Sequence, residues 1–81
     1  MQNYYIGSVL LVAFNRLPEG WALCNGQELP INSNQALFSL LGTTYGGDAR
    51  TTFALPNLNA GALQSGMQYL ICVNGVYPNF N

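Results

Sequence analysis

Met67-Gln68-Tyr69-Leu70-Ile71-Cys72-Val73 is apolar at nearly every position. A strand with one wet face alternates apolar and polar residues, whereas a continuous apolar run marks a strand enclosed on both sides. The stretch therefore predicts a central strand, buried on both faces or turning one face to a neighbouring chain. Asn74-Gly75 follows as a tight-turn signal, and Val76-Tyr77-Pro78 makes a short end piece. Working back from it, residues 57–66 form a loose stretch, and Phe53-Ala54-Leu55-Pro56 reads as extended, since a residue before proline is pushed out of the helical region.

The other elements follow from the same signals. Residues 6–14 are rich in Val, Leu and Ile and predict a buried strand, with Gly7 at one end and Asn15-Arg16-Leu17-Pro18 at the other. Leu17-Pro18-Glu19-Gly20 is a turn. Trp21-Ala22-Leu23-Cys24 is a short strand, Asn25-Gly26 the strongest two-residue hairpin signal, and Glu28-Leu29-Pro30 the expected return strand. A helix is predicted over residues 34–41, capped by Asn32 or Ser33, with Gln35 near capping-box spacing from Asn32. Leu37, Leu40 and Leu41 give it an apolar stripe, and Gly42 is placed to end it in a left-handed conformation. The expected architecture is α+β: one small domain over residues 1–81, with several short strands and one short helix. Trp21, Cys24, Leu37, Leu40, Leu41, Phe53, Leu55, Ile71, Cys72 and Val73 are its expected core.

Composition removes several classes of function. Arg16, Arg50, Glu19, Glu28 and Asp48 are the only charged side chains, 6% of the 81 residues, where about 25% is usual. No basic patch exists to displace counterions from a nucleic-acid backbone. There is no histidine, and the two cysteines lie far apart with no C-x-x-C pair, so neither a His-based nucleophile pair nor a zinc site of the usual four-ligand kind can be built from one chain, and no cofactor or metal is expected. Glu19 and Glu28 occupy ordinary solvated turn positions, which argues against an enzyme. The first five residues lack the positive charge of a secretory signal, and residues 6–14 are too few to span a bilayer, which takes about 20 as a helix. Release by lysis or dedicated machinery is the expectation. Cys24 and Cys72 allow one bridge at most. Both fall in predicted strands and read most simply as buried thiols, although a bridge stays open if their Cα atoms lie within about 7 Å.

The surface left over is made of amides and hydroxyls, with ten Asn and five Gln, and a net charge of −1 barely repels another copy. Self-association or a place in a larger assembly is expected over a neutral monomer. Tyr4, Tyr5, Val76, Tyr77, Pro78 and Phe80 are the candidate contact residues, because an apolar terminus can dock on a neighbour. The polar loop with paired glycines offers a second candidate, a ligand or interface site of Tyr45, Gly46, Gly47, Asp48 and Arg50. Asp48 and Arg50 flank Ala49 and are read either as an ion pair holding the loop or as a pair meeting a ligand or subunit.

The wording of the chain resembles a known family. Gly20-Trp21-Ala22-Leu23-Cys24-Asn25-Gly26-Gln27 is similar to the G-W-x-x-C-[ND]-G-Q signature of phage tail-collar domains, including the microcystin-dependent-protein-like group. The runs at residues 34–48, 50–58 and 68–78 resemble the family's later blocks, so the likeness spans about residues 6–78. The resemblance implies a structural subunit of a phage tail, contractile injection system or similar extracellular particle, with a trimer as the first expectation and a filament as another. Its partners would be copies of itself or other tail and fibre proteins. The alternative is a receptor- or glycan-binding adhesin module using Tyr45, Asp48 and Arg50. Longer members carry a glycine-rich, often histidine-containing insertion before the closing strand. Here only residues 59–66 bridge that gap, so the receptor-binding tip and its metal site do not carry over.

Overall fold

The computed structural model describes residues 4–59 and 67–79. Among them are β1 (Val9–Val12), β2 (Trp21–Leu23), β3 (Glu28–Pro30), α1 (Gln35–Leu41), β4 (Thr52–Ala54) and β5 (Gln68–Cys72). These form a small α+β fold with two antiparallel sheets, one ordered β1-β5-β2 and the other β3-β4.

β5 is the central strand that its nearly continuous apolar run predicts. Val9 pairs with Ile71 on one side and Trp21 with Cys72 on the other. Leu70 and Cys72 point to one face, where they pack with Trp21 and the half-buried Leu10, Val12 and Leu23. Ile71 points to the opposite face and joins Ile6, Cys24, Leu37, Phe53 and Leu55. The two cysteines thus belong to different clusters on opposite faces of one sheet, and both are free thiols.

Residues 6–14 do not form the uniformly buried strand that their composition suggests. Ile6 is buried, Gly7 breaks the run at φ +92°, and β1 begins only at Val9. Because β1 lies at the sheet edge, Val9 and Leu11 stay exposed while Leu10 and Val12 are half-buried. Phe14 is exposed as well.

The expected Asn25-Gly26 hairpin is also absent. A two-residue type I′ turn needs φ > 0 at both positions, and only Gly26, at +81°, has it. Asn25 instead bridges Asn57, the Gly26 amide donates to the Pro56 carbonyl, and the Leu55 amide donates to that of Gln27. The same register continues through β3 and β4 to the Ile31 amide, which donates to Thr51. The Asn-Gly pair therefore hands the chain from the first sheet to the second.

α1 starts at Gln35, with Asn34 in the N-cap position and no side-chain cap hydrogen bond. Neither Asn32 nor Ser33 caps it, because the chain enters through Asn34, whose side-chain amide turns back to the Pro30 carbonyl at 2.9 Å. Leu37 is the helix's fully buried residue, and the Phe38 ring packs on Phe53 at 5.4 Å. Leu40 and Leu41, expected in the core, are half-buried, as is Val73 at the end of β5. A two-turn helix has room for one enclosed position, and its remaining apolar side chains form the rim. Gly42 ends it at φ +56° and ψ −142°, positive in φ as expected but outside the left-handed helical well, with its amide bonded to the Phe38 carbonyl.

Candidate functional site

Two surfaces hold the candidate contact residues, and local chemistry builds each. The first is the loop from α1 to β4. Gly46 and Gly47 take φ of +131° and +99°. A Cβ on Gly47 would overlap the Phe53 backbone and stand 2.7 Å from the Thr52 carbonyl oxygen, so the loop lies directly on β4. Ala54 donates its amide to the Gly46 carbonyl at 3.0 Å, which ties the loop to the strand.

Asp48 closes this loop, though not through an ion pair with Arg50. Its Oδ1 accepts the backbone amides of Arg50 and Thr51, each at 2.8 Å, and that of Thr52 at 3.0 Å. Oδ2 accepts the Thr51 hydroxyl at 3.0 Å. The amides of Thr51, Thr52 and Arg50, with the Thr51 hydroxyl, hold the Asp48 carboxyl well below the ordinary carboxylate range. Arg50 contributes its amide, and its side chain stays exposed. The enclosed turn puts Ala49 at φ +66°, the non-glycine residue with positive φ among those described. Tyr45, earlier in the same loop, is half exposed. The carboxylate is thus committed to shaping the loop, while the side chains of Tyr45 and Arg50 stay exposed.

The second surface is where the two ends of the chain meet. Tyr5 and Val76 form a parallel bridge, with the Ile6 amide donating to the Val76 carbonyl and the Val76 amide to that of Tyr4. The Tyr4 ring stands edge-on to Trp21 at 5.3 Å. The Tyr77 hydroxyl shares a 2.6 Å hydrogen bond with Ser39 on α1. The backbones of these terminal residues are therefore engaged within their own chain, while the side chains of Tyr5, Val76 and Tyr77 remain about half exposed. Pro78 is half-buried, and Phe80 lies outside the described residues.

Burial removes the cysteines from reactive chemistry. It pushes the Cys24 thiol up to about 11 and raises Cys72 also, so both stay protonated and poorly nucleophilic at neutral pH. Among the described residues no group of three or more metal-ligating side chains comes together, and no helix is long and apolar enough to cross a membrane.

The structure also assembles a pocket of about 440 Å³ that sequence reasoning missed. Ile6, Gly20, Ser33, Leu37, Val73 and Asn74 are among its lining residues. They come from separate segments with no local pattern to announce them, and none of them is charged.

A family model described as the Phage Tail Collar Domain matches residues 7–63. No curated protein matches the chain. The matched span carries β1 to β4, α1 and the glycine loop, while β5, the strand on which both β1 and β2 pair, lies beyond it. With well over half of its residues matched, the chain belongs to the phage tail collar domain family.

Proposed function

We propose that the chain is a structural subunit of a phage tail or phage-tail-like particle, such as a contractile injection system, where it associates with copies of itself and with other tail or fibre proteins. Tail collar domains are structural phage domains and not a known enzyme family. The observation that carries the reading is the surface. Large apolar side chains at Tyr5, Val9, Leu11, Phe14, Leu17, Tyr45 and Val76 are each at least two-fifths exposed, on a chain with only five charged residues. Such a surface suits close neutral contacts between subunits, closing into a ring or trimer or propagating as a filament. Gold-labelled antibody against the chain, viewed by electron microscopy on lysates of its host, tests this. Label on tail-like particles or fibres supports the subunit role, and label confined to free protein contradicts it.

One observation favours a second reading, a receptor- or glycan-binding adhesin module. Tyr45 and Arg50 are exposed on a loop that Asp48 already holds in shape, and a preorganised loop loses little freedom on binding. Saturable binding to cells or a glycan array, abolished by Tyr45→Ala or Arg50→Ala with folding intact, is the expected signature. No binding across such an array removes this reading.

A further inference from the structure

A sheet edge is a row of unsatisfied backbone groups, and folded proteins close their edges with proline, charge or covering loops. Three of the four outer edges among the described strands are treated in this way. Along β4, the outward residues are Thr52 and Ala54. The Thr52 amide donates to Asp48, its carbonyl accepts the Ala49 amide, and the Ala54 amide donates to Gly46, so the glycine loop covers that edge. Along β3, Pro30 has no amide to offer, its carbonyl accepts the Asn34 side chain at 2.9 Å, and Glu28 places a charge beside it. Along β2, the outward Trp21 amide donates to the Pro18 carbonyl and the Leu23 carbonyl accepts the Gln27 side-chain amide.

Among the described residues, β1 has none of these devices. The Cys72 amide donates to the Ser8 carbonyl, so Ser8 opposes Cys72 as a bonded pair. Bonded and outward positions alternate along an antiparallel strand. In the register that joins Leu10 to Leu70 and Val12 to Gln68, Val9 and Leu11 therefore turn their amides and carbonyls outward. Neither residue's backbone has a hydrogen-bond partner beyond its strand among the described residues. Their side chains are 40% and 46% exposed, and from Tyr4 to Asn15 there is no charged residue.

We infer that β1 is an interaction edge and that its occupant is β1 of a second copy of this chain, added antiparallel to join two three-stranded sheets into one of six strands. This rests on the self-associating subunit reading and adds one two-fold surface to it, a contact that closes at a dimer, so that a trimer, ring or filament takes a second surface as well. The edge is self-complementary. With the two-fold axis at Leu10, Val9 lies opposite Leu11 of the second copy and Leu11 opposite Val9, both outward positions, so about four backbone hydrogen bonds form. The same pairing sets valine against leucine on the face that carries Tyr69 and Ile71, an apolar cross-strand contact. No charge on either strand opposes it, and a net charge of −1 per copy adds almost no repulsion. Four residues make a short edge, so the contact is weak in solution and gains strength where an assembly holds two copies close.

Sedimentation velocity of the purified chain over a concentration series tests the contact, with Leu11→Pro and Val9→Lys compared against the unaltered protein. Leu11→Pro removes an outward amide without removing a bond to β5, and Val9→Lys places like charges across the contact. Near-ultraviolet circular dichroism of Trp21 reports whether each variant keeps its fold, and Val9→Lys serves where Leu11→Pro does not fold. The unaltered chain is expected to self-associate reversibly, and each folded variant to raise the dissociation constant roughly tenfold or more, since every dimer loses two symmetry-related donors or gains a repulsion. Self-association unchanged in both folded variants overturns the edge and leaves the subunit reading standing on another surface. A chain that stays monomeric throughout the series overturns both the edge and self-association, including the case in which β1 accepts a strand from a different tail protein.

Discussion

The carbonyl oxygen of Tyr4 occupies the place where a side chain on Gly75 would begin. A Cβ there would overlap that oxygen and stand 2.9 Å from the Cys72 sulfur. The demand is steric, since Gly75 does not share the positive φ of the loop glycines. Gly75→Ala must therefore push the N-terminal segment off the turn after β5. A cost of about 1–3 kcal/mol is expected, as for other overpacked sites, with loss of the Tyr4–Trp21 contact. A chemical-denaturation midpoint unchanged from that of the parent contradicts this packing.

Trp21 is 4% exposed and sits over Leu70 and Cys72. Trp21→Ala is expected to cost about 3–5 kcal/mol, a large share of the stability of a chain this size. Thermal melting followed by far-ultraviolet circular dichroism checks it, and a melting temperature within a few degrees of the parent means that the indole is not a core residue.

Asp48 makes the glycine loop sensitive to acid. Its carboxyl is held below the ordinary value of 3.8 by amide donors that exist only in the folded loop. The folded state favours the charged form, so the contribution is complete above pH 3.8 and is lost as pH falls below it towards the depressed native value. Asp48→Ala is expected to remove this acid dependence and to expose the loop to protease, and Asp48→Asn to keep part of the loop's order because one acceptor oxygen remains. Equal protease resistance in Asp48→Ala and the parent contradicts the clamp.

Both thiols are enclosed and shifted upward, Cys24 to about 11. Neither is expected to react with a thiol reagent at pH 7 until the chain unfolds, and both are then expected to react together. Rapid labelling of the native protein, read by intact-mass spectrometry, contradicts their burial.

Where the sequence carried an unambiguous local cause, it announced the structure. The nearly continuous apolar run around Leu70 and Ile71 could only be satisfied by cover on both faces, and β5 has it. The helix was visible in its leucine spacing. Asn25-Gly26 misled because a turn signal is local, while the partner that captured the following strand, residues 51–57, lies far along the chain. Val9 and Leu11 look as buried as Leu10 and Val12, since nothing in composition says which strand will be an edge. Asp48 and Arg50 suggested an ion pair by their charges, but the donors that Asp48 finds are backbone amides, which every residue carries and no sequence pattern marks.

The most direct test of the central claim is the particle state of the purified chain, from mass photometry with negative-stain electron microscopy on the same sample. Dimers, trimers, rings or filaments at micromolar concentration are the expected result for a subunit that mates through neutral surfaces. A stable monomer throughout that range contradicts self-association.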